Sequence, residues 1–331
     1  MQLRQLRRIL QEVVLAGLPV SMAGCVEGGS SDECVEIARH TFELETPAAD
    51  PPLQFQIDRC RVDVDACNAL CAMALSRSDL NGSLTECEVE FRPGVVSAKV
   101  TYEILHNYAG CPVEGRRPHG LTRLPPRHAT TAAGAWLAEA AWLEAASVHA
   151  FVRLAHELAQ HGAPRALSRG ALAAVRDEIR HTAIMTRLAA RHGATPSAPE
   201  VAAPVVRSLE ALVIENAVEG CVRETWGAAL ALWQSHTARD AEVRAAFRTI
   251  AQDELRHAAL AWAIDRWATP RLDRAALARV ATARDVAAAA LFDAGDAPAL
   301  PVLGIPDASD LRGLVARAHA SLWQGGRSCH A

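Results

Sequence analysis

Apolar and polar positions along this chain follow two different periods. From Thr130 to Trp267 the apolar residues recur every three or four positions, the spacing of amphipathic helices, as in the row Leu143, Val148, Phe151, Leu154 and Leu158. The pattern predicts helices from a Thr130–Thr131 N-cap to about Gln160, from about Arg165 to His192, from about Pro199 to His236, and from about Asp240 to Trp267. Gly162, Pro164, Gly193, Pro196 and Pro270 supply the breaks. Long segments with short connections favour an antiparallel up-down bundle, whose interior can host metals. An Ala-rich helix to about Leu291 and a short one from about Ser309 to Trp323 are expected on its outside.

Upstream the period drops to two. Leu53–Ile57 and Cys87–Phe91 alternate as half-buried strands do, and Arg92-Pro93-Gly94 then turns the chain into a further strand from Val95 to Ile104. Ala66–Ser76, with Cys67 and Cys71 on one face, is the expected helix. Gly115-Arg116-Arg117-Pro118-His119-Gly120 and the later Pro125-Pro126 have linker composition. The expected organisation is therefore a small α+β module over 26–120, a helical domain over 128–290 and an extension over 291–331.

Composition changes this picture in two places. Nine cysteines are present, seven of them between Cys25 and Cys111. Setting Cys25 aside leaves Cys34, Cys60, Cys67, Cys71, Cys87 and Cys111, an even set that reads as a disulfide framework of an exported segment. The first 24 residues agree: Arg4, Arg7 and Arg8 precede the apolar run Val13–Gly24, and Met22-Ala23-Gly24-Cys25 resembles a bacterial lipobox with Cys25 as the acylated residue. Export to the cell envelope or periplasm, with a lipid anchor as the one membrane contact, is expected; a cytoplasmic chain with an ordinary amphipathic first helix is the alternative. A net charge of −4 gives no electrostatic case for a nucleic-acid partner.

The candidate chemistry lies in a phrase that occurs twice, Asp177-Glu178-Ile179-Arg180-His181 and Asp253-Glu254-Leu255-Arg256-His257. On a helix, residues three apart share a face, so Glu178 with His181, and Glu254 with His257, can each offer an oxygen and a nitrogen to one point. Buried carboxylates are costly unless paired or bound to metal, which makes a glutamate on an apolar face informative. Glu144, set among small and apolar residues, precedes Glu178 by 34 positions; Glu219 precedes Glu254 by 35. That near-equal interval suggests an internal two-fold repeat and selects Glu219, with Glu224 in reserve. His149 is five residues from Glu144 and so turned about 140° from it; with His156 and His161 it is expected outside the ligand set. Trp226, Trp233, Trp262 and Trp267 are expected as packing residues.

One glutamate from each of two helices plus Glu-x-x-His from two others resembles the ligand set of the ferritin-like di-iron and di-manganese carboxylate proteins. The resemblance covers about residues 130–268. It implies a mainly α fold, an antiparallel ferritin-like four-helix bundle beside the disulfide-rich α+β module. It also implies two Fe ions (alternatively Mn) held by Glu144, Glu178, His181, Glu219, Glu254 and His257. Asp177 is expected to orient His257, and Asp253 to orient His181. The implied function is an oxidoreductase reacting with O2 or peroxide, served by an external electron donor. Envelope iron binding with ferroxidase-type activity, and manganese catalase-like peroxide disproportionation, are the alternatives. The only tyrosines, Tyr102 and Tyr108, lie outside the bundle, and no rubredoxin-type cysteine set follows it.

Overall fold

The structure is a computed structural model of the 331-residue chain. It describes residues 1–18, 35–47, 57–58, 60–61, 67, 70–71, 83–107, 115–121, 129–203, 207–292 and 300–323; within 35–47 and 101–107 it describes mainly the backbone. The chain divides into two compact units, residues 35–107 and the remainder. The smaller unit thus ends before the expected boundary at 120, and the stretch of linker composition goes with the helices.

In the smaller unit, strands β1 (Val35–Pro47), β2 (Ser83–Arg92) and β3 (Val95–Asn107) form an antiparallel sheet in the order β1-β3-β2. The β2–β3 hairpin follows from its alternation and from Gly94, whose φ of +79° suits the turn. β1 was not anticipated; it pairs with β3 along its whole length. Ile57, Cys60, Cys67, Leu70 and Val96 form the core here, stapled by the disulfides Cys60–Cys67 and Cys71–Cys87. Cys25, Cys34, Cys111 and most of the expected strand Leu53–Ile57 lie outside the described residues.

The larger unit is helical. α1 (Leu3–Leu15) is followed by α2 (Ala132–Gln160) and α3 (Arg165–Arg191). Next come α4 (Leu209–Glu215), a π-helical segment (Asn216–Glu224) and α5 (Thr225–Thr237), which run on as one helix. α6 (Ala241–Ala268), α7 (Arg274–Ala290) and α8 (Ala308–Ala318) complete the set. Local chemistry sets several starts: Thr131 accepts from the Gly134 N–H at 2.9 Å, Ser208 from Ala211, and Asp240 from Glu242 and Val243. The third long helix begins at Leu209 rather than near Pro199, where Ser208 caps it; Pro199 and Pro204 disfavour helix just before them.

Helix directions follow from two apolar layers. One layer joins the start of α2 (Trp136, Leu137), the end of α3 (Met185, Leu188), the middle of α5 and the residue after it (Ala231, Ala238) and the start of α6 (Val243, Phe247, Ile250). The other joins the end of α2 (Leu154, Leu158), the start of α3 (Ala171, Ala174), α4 (Leu212, Val213) and the end of α6 (Ile264, Trp267). Hence α2 and α6 run one way, and α3 and the α4–α5 helix run the other. The expected simple up-down order is therefore corrected: α3 ends in the layer opposite to the one where α4 begins, so a long crossover, described over 192–203 and 207–208, joins them. Between the layers, at one level, all four long helices carry polar residues.

α1 is amphipathic. Its Leu6, Leu10, Val13 and Val14 are buried with Trp226, Leu230 and Trp233 of the third long helix, and with Leu311 and Leu314 of α8. Among the described residues, no helix is long and apolar enough to cross a membrane.

Candidate metal centre

The gap between the two layers holds a group of acids and imidazoles. Glu144, Glu178, His181, Glu224 and Glu254 are fully buried and His257 is 2% exposed. Glu144, Glu178, His181 and Glu254 bring one ligand atom each to within 4.8 Å of one another, a group that could hold a metal ion. Nδ1 of His181 lies 3.5 Å from Glu144, 3.4 Å from Glu254 and 4.0 Å from Glu178. Nδ1 of His257 lies 3.0 Å from Glu178 and 3.5 Å from Glu254. Glu178 and Glu254 thus stand between the two imidazoles, and each is shared by both.

The unpaired atoms are concentrated here. Both carboxylate oxygens of Glu144, Glu178, Glu224 and Glu254, and Nδ1 of both histidines, are buried without a hydrogen-bond partner. Each such group costs about 1–3 kcal/mol, more when charged, if nothing meets it. A divalent cation satisfies acceptor-only oxygens and neutral imidazole nitrogens together, so the donor set fits a metal.

The other nitrogen of each ring is tied across the helix pair. Nε2 of His181 meets Asp253 at 3.0 Å, and Nε2 of His257 meets Asp177 at 3.3 Å. These crossed contacts aim both Nδ1 atoms into the centre. Two residues not anticipated for the site complete the layer. Arg180 pairs with Asp177 at 2.8 Å and with Asp253, and Arg256 pairs with Asp253 at 2.5 Å and with Asp177 at 3.0 Å. Both arginines belong to the repeated phrase, three residues after its aspartate, and that spacing was the available signal.

The electrostatics are those of buried acids crowded against two imidazoles. Burial, and then the Glu144 carboxylate, push Glu178 well up. Burial also opposes ionisation of Glu254, yet His257 and His181 beside it hold its carboxyl at about 2. Burial works against charge on both imidazoles, but Glu144 and Asp253 raise His181, and Glu254 and Asp177 raise His257. Asp253 is held at about 2 against its burial by His181, Arg180 and Arg256.

Glu219, expected as a ligand, has partners of its own. It is 7% exposed, pairs with Arg223 at 2.5 Å and accepts from the Arg117 N–H at 3.2 Å, which turns it toward the rim. Glu224, held in reserve, is the buried and unpartnered one, and burial raises it to about 8. The reason is depth. Glu224 lies 13 residues before the end of α5, and Glu254 lies 13 residues after the start of α6. Two helices of a hairpin place such residues side by side, whereas Glu219 lies five residues further from the turn, about one π turn away. Counting from the turn would have selected Glu224; the interval across the repeat did not.

No known family, characterised protein or solved structure matches this chain. The remaining candidates stay out of the centre. His149 and His156 are exposed, and His161 meets the Arg207 carbonyl at 3.0 Å. Two other glutamates of the helical unit are held by arginines: Glu157 by Arg207 at 2.6 and 2.8 Å, and Glu215 by Arg116, Arg153 and Arg207. Trp226 and Trp233 are buried in the apolar core.

Proposed function

We propose that this chain is a ferritin-like dinuclear metal protein, an oxidoreductase whose two iron ions react with O2 or peroxide. The observation that carries the reading is the pair of carboxylates, Glu178 and Glu254, each shared between two imidazoles in a buried gap of unpartnered ligand atoms. Glu144 and His181 would hold one ion, Glu224 and His257 the other, and Glu178 and Glu254 would bridge. The long crossover supports a ferritin-like four-helix bundle, which has one such connection between its hairpins. Bound iron would supply electron transfer to the oxidant. The chain's own residues exclude water, hold the ligands and, through Asp177 and Asp253, fix the ring tautomers.

Anaerobic Fe(II) titration, followed by O2, tests this. Two ions per chain and repeated O2 consumption with an added electron donor support the oxidoreductase. A single round of oxidation with Fe(III) released points to iron handling, and O2 evolution from peroxide by the Mn(II) form points to the catalase-like alternative. Fewer than two ions per chain would sink all three. Location at the envelope through Cys25 belongs to the same proposal. Cleavage before Cys25 would remove α1 and uncover Trp226, Leu230 and Trp233. Mass spectrometry of the mature N-terminus therefore decides between a lipid-anchored chain and a cytoplasmic one.

A further inference from the structure

Residues 115–121, of linker composition, are built into the helical unit. Gly115 has φ +75°, and a Cβ there would lie 2.8 Å from the Ser147 side chain and 3.2 Å from the Leu143 carbonyl, so the backbone touches α2 as only glycine can. The Arg116 N–H donates to Ser147 Oγ at 2.8 Å, one turn from Glu144. The Arg116 side chain is 1% exposed and reaches the π-helical segment. There it donates to Asn216 at 3.3 Å and to Glu215 at 3.5 Å. Gly220 leaves the space, since a Cβ on it would stand 2.9 Å from Arg116 Nη1. Asn216 in turn donates to the Ala261 carbonyl of α6 at 2.9 Å. At the next position, the Arg117 N–H holds Glu219.

On the π-helical segment these contacts fall on Asn216, Glu219 and Gly220, with Glu215 just before it, and Glu224 is its last residue. In an α-helix Glu219 and Glu224 would point about 140° apart. A π turn closes with i→i+5 bonds, so residues five apart come nearly over one another. With Glu219 held at the rim, the wide turn brings Glu224 under it and into the centre. π turns are rare and, where they occur, frequent at functional sites.

We infer that Arg116 is a positioning residue: seated between Ser147, Glu215 and Asn216, it holds segment 216–224 in its π-helical winding and thereby places Glu224 in the metal centre. This rests on the metal-centre reading for its consequence, but the winding itself exists without metal. Two measurements on the full-length chain separate the two. Hydrogen–deuterium exchange of the metal-free protein reads the winding. In Arg116→Ala, amides of 216–224 should exchange at least ~10-fold faster while those of α2 and α3 stay unchanged, and Arg116→Lys, without the forked donor, should be intermediate. Anaerobic Fe(II) titration reads the consequence. One of the two ions should bind ~10–100-fold more weakly, the usual effect of losing an outer support of a ligand, and the other should be unaffected. Ser147→Ala removes only the anchor on α2 and should shift both readouts the same way by a smaller factor, so the test survives if Arg116→Ala does not fold. Unchanged exchange in 216–224 overturns the inference whatever the metal does. Equal loss of both ions, or of neither, in folded variants overturns it as well. Failure of the wild-type chain to take up two ions would sink the metal-centre reading and leave the exchange result to judge Arg116.

Discussion

In the α2–α3 hairpin, Glu144 reaches the centre from an uninterrupted α-helix, with Ala140, Ala141 and Ala146 close around it. In the second hairpin, Glu224 reaches the same level only at the end of a π-helical segment, with Arg116 wedged beside Gly220. The facing helices α3 and α6 match at the phrase, with equivalent crossed Asp–His contacts and equivalent paired arginines. Symmetry therefore holds where the phrase is written and fails where the fourth carboxylate is supplied. A repeated motif fixes the chemistry of its own helix, while the helix that completes it answers to whatever lies against its back.

The comparison breaks most severely at the shared carboxylates. Glu178→Ala or Glu254→Ala should abolish binding of both ions, and retention of one ion at full affinity would show that they do not bridge. Next, Glu224→Leu should cost one ion and, in the metal-free protein, remove an unpartnered buried carboxyl. Its thermal or urea unfolding should show a gain of about 1–3 kcal/mol. Glu219→Ala should keep both ions. The reverse result in this pair would restore Glu219 as the ligand.

Smaller effects test the crossed supports. Asp253→Ala and Asp177→Ala should each weaken metal binding by ~10–100-fold with helicity intact, each through the imidazole of the opposite helix. Acid adds a direction. Asp253 is held at about 2, below the ordinary value of about 3.9. Its stabilising contribution is complete above that ordinary value and is lost as pH falls through the depressed one. Asp253→Asn should flatten that part of the acid unfolding curve. Both imidazoles are raised and must lose their protons to bind metal, so uptake should weaken as pH falls and should release protons, measurable by calorimetry in buffers of different ionisation enthalpy. The smallest effect is expected at Arg180 and Arg256, about half exposed. Either one changed to Ala should alter stability by roughly 0–1 kcal/mol, because solvent screens such pairs.

Much of this was legible in the chain. Helical periodicity located α2, α3 and α6 to within a residue or two, because caps and breakers stand next to the apolar rows: Thr131 before α2, Asp240 before α6, Gly162 and Pro164 between α2 and α3. Five residues of the buried group, Glu144, Glu178, His181, Glu254 and His257, followed from i, i+3 spacing and from a carboxylate among apolar neighbours, while the crossed aspartates followed from the resemblance to ferritin-like proteins. The β2–β3 hairpin followed from alternation and its turn. β1 did not, since its partner β3 is some sixty residues away and nothing local marks the pairing.

The sequence by itself determined which residue types meet and on which helices, because period, capping and i, i+3 geometry are local properties of a few consecutive residues. The tertiary structure alone decided the direction of the third long helix and the burial of Arg116 in a stretch that reads as linker. Each of those depends on what packs against a segment from far along the chain. A crossover that returns the chain to the other end, and an arginine seated against a wide turn, leave no period in the sequence for a reader to find.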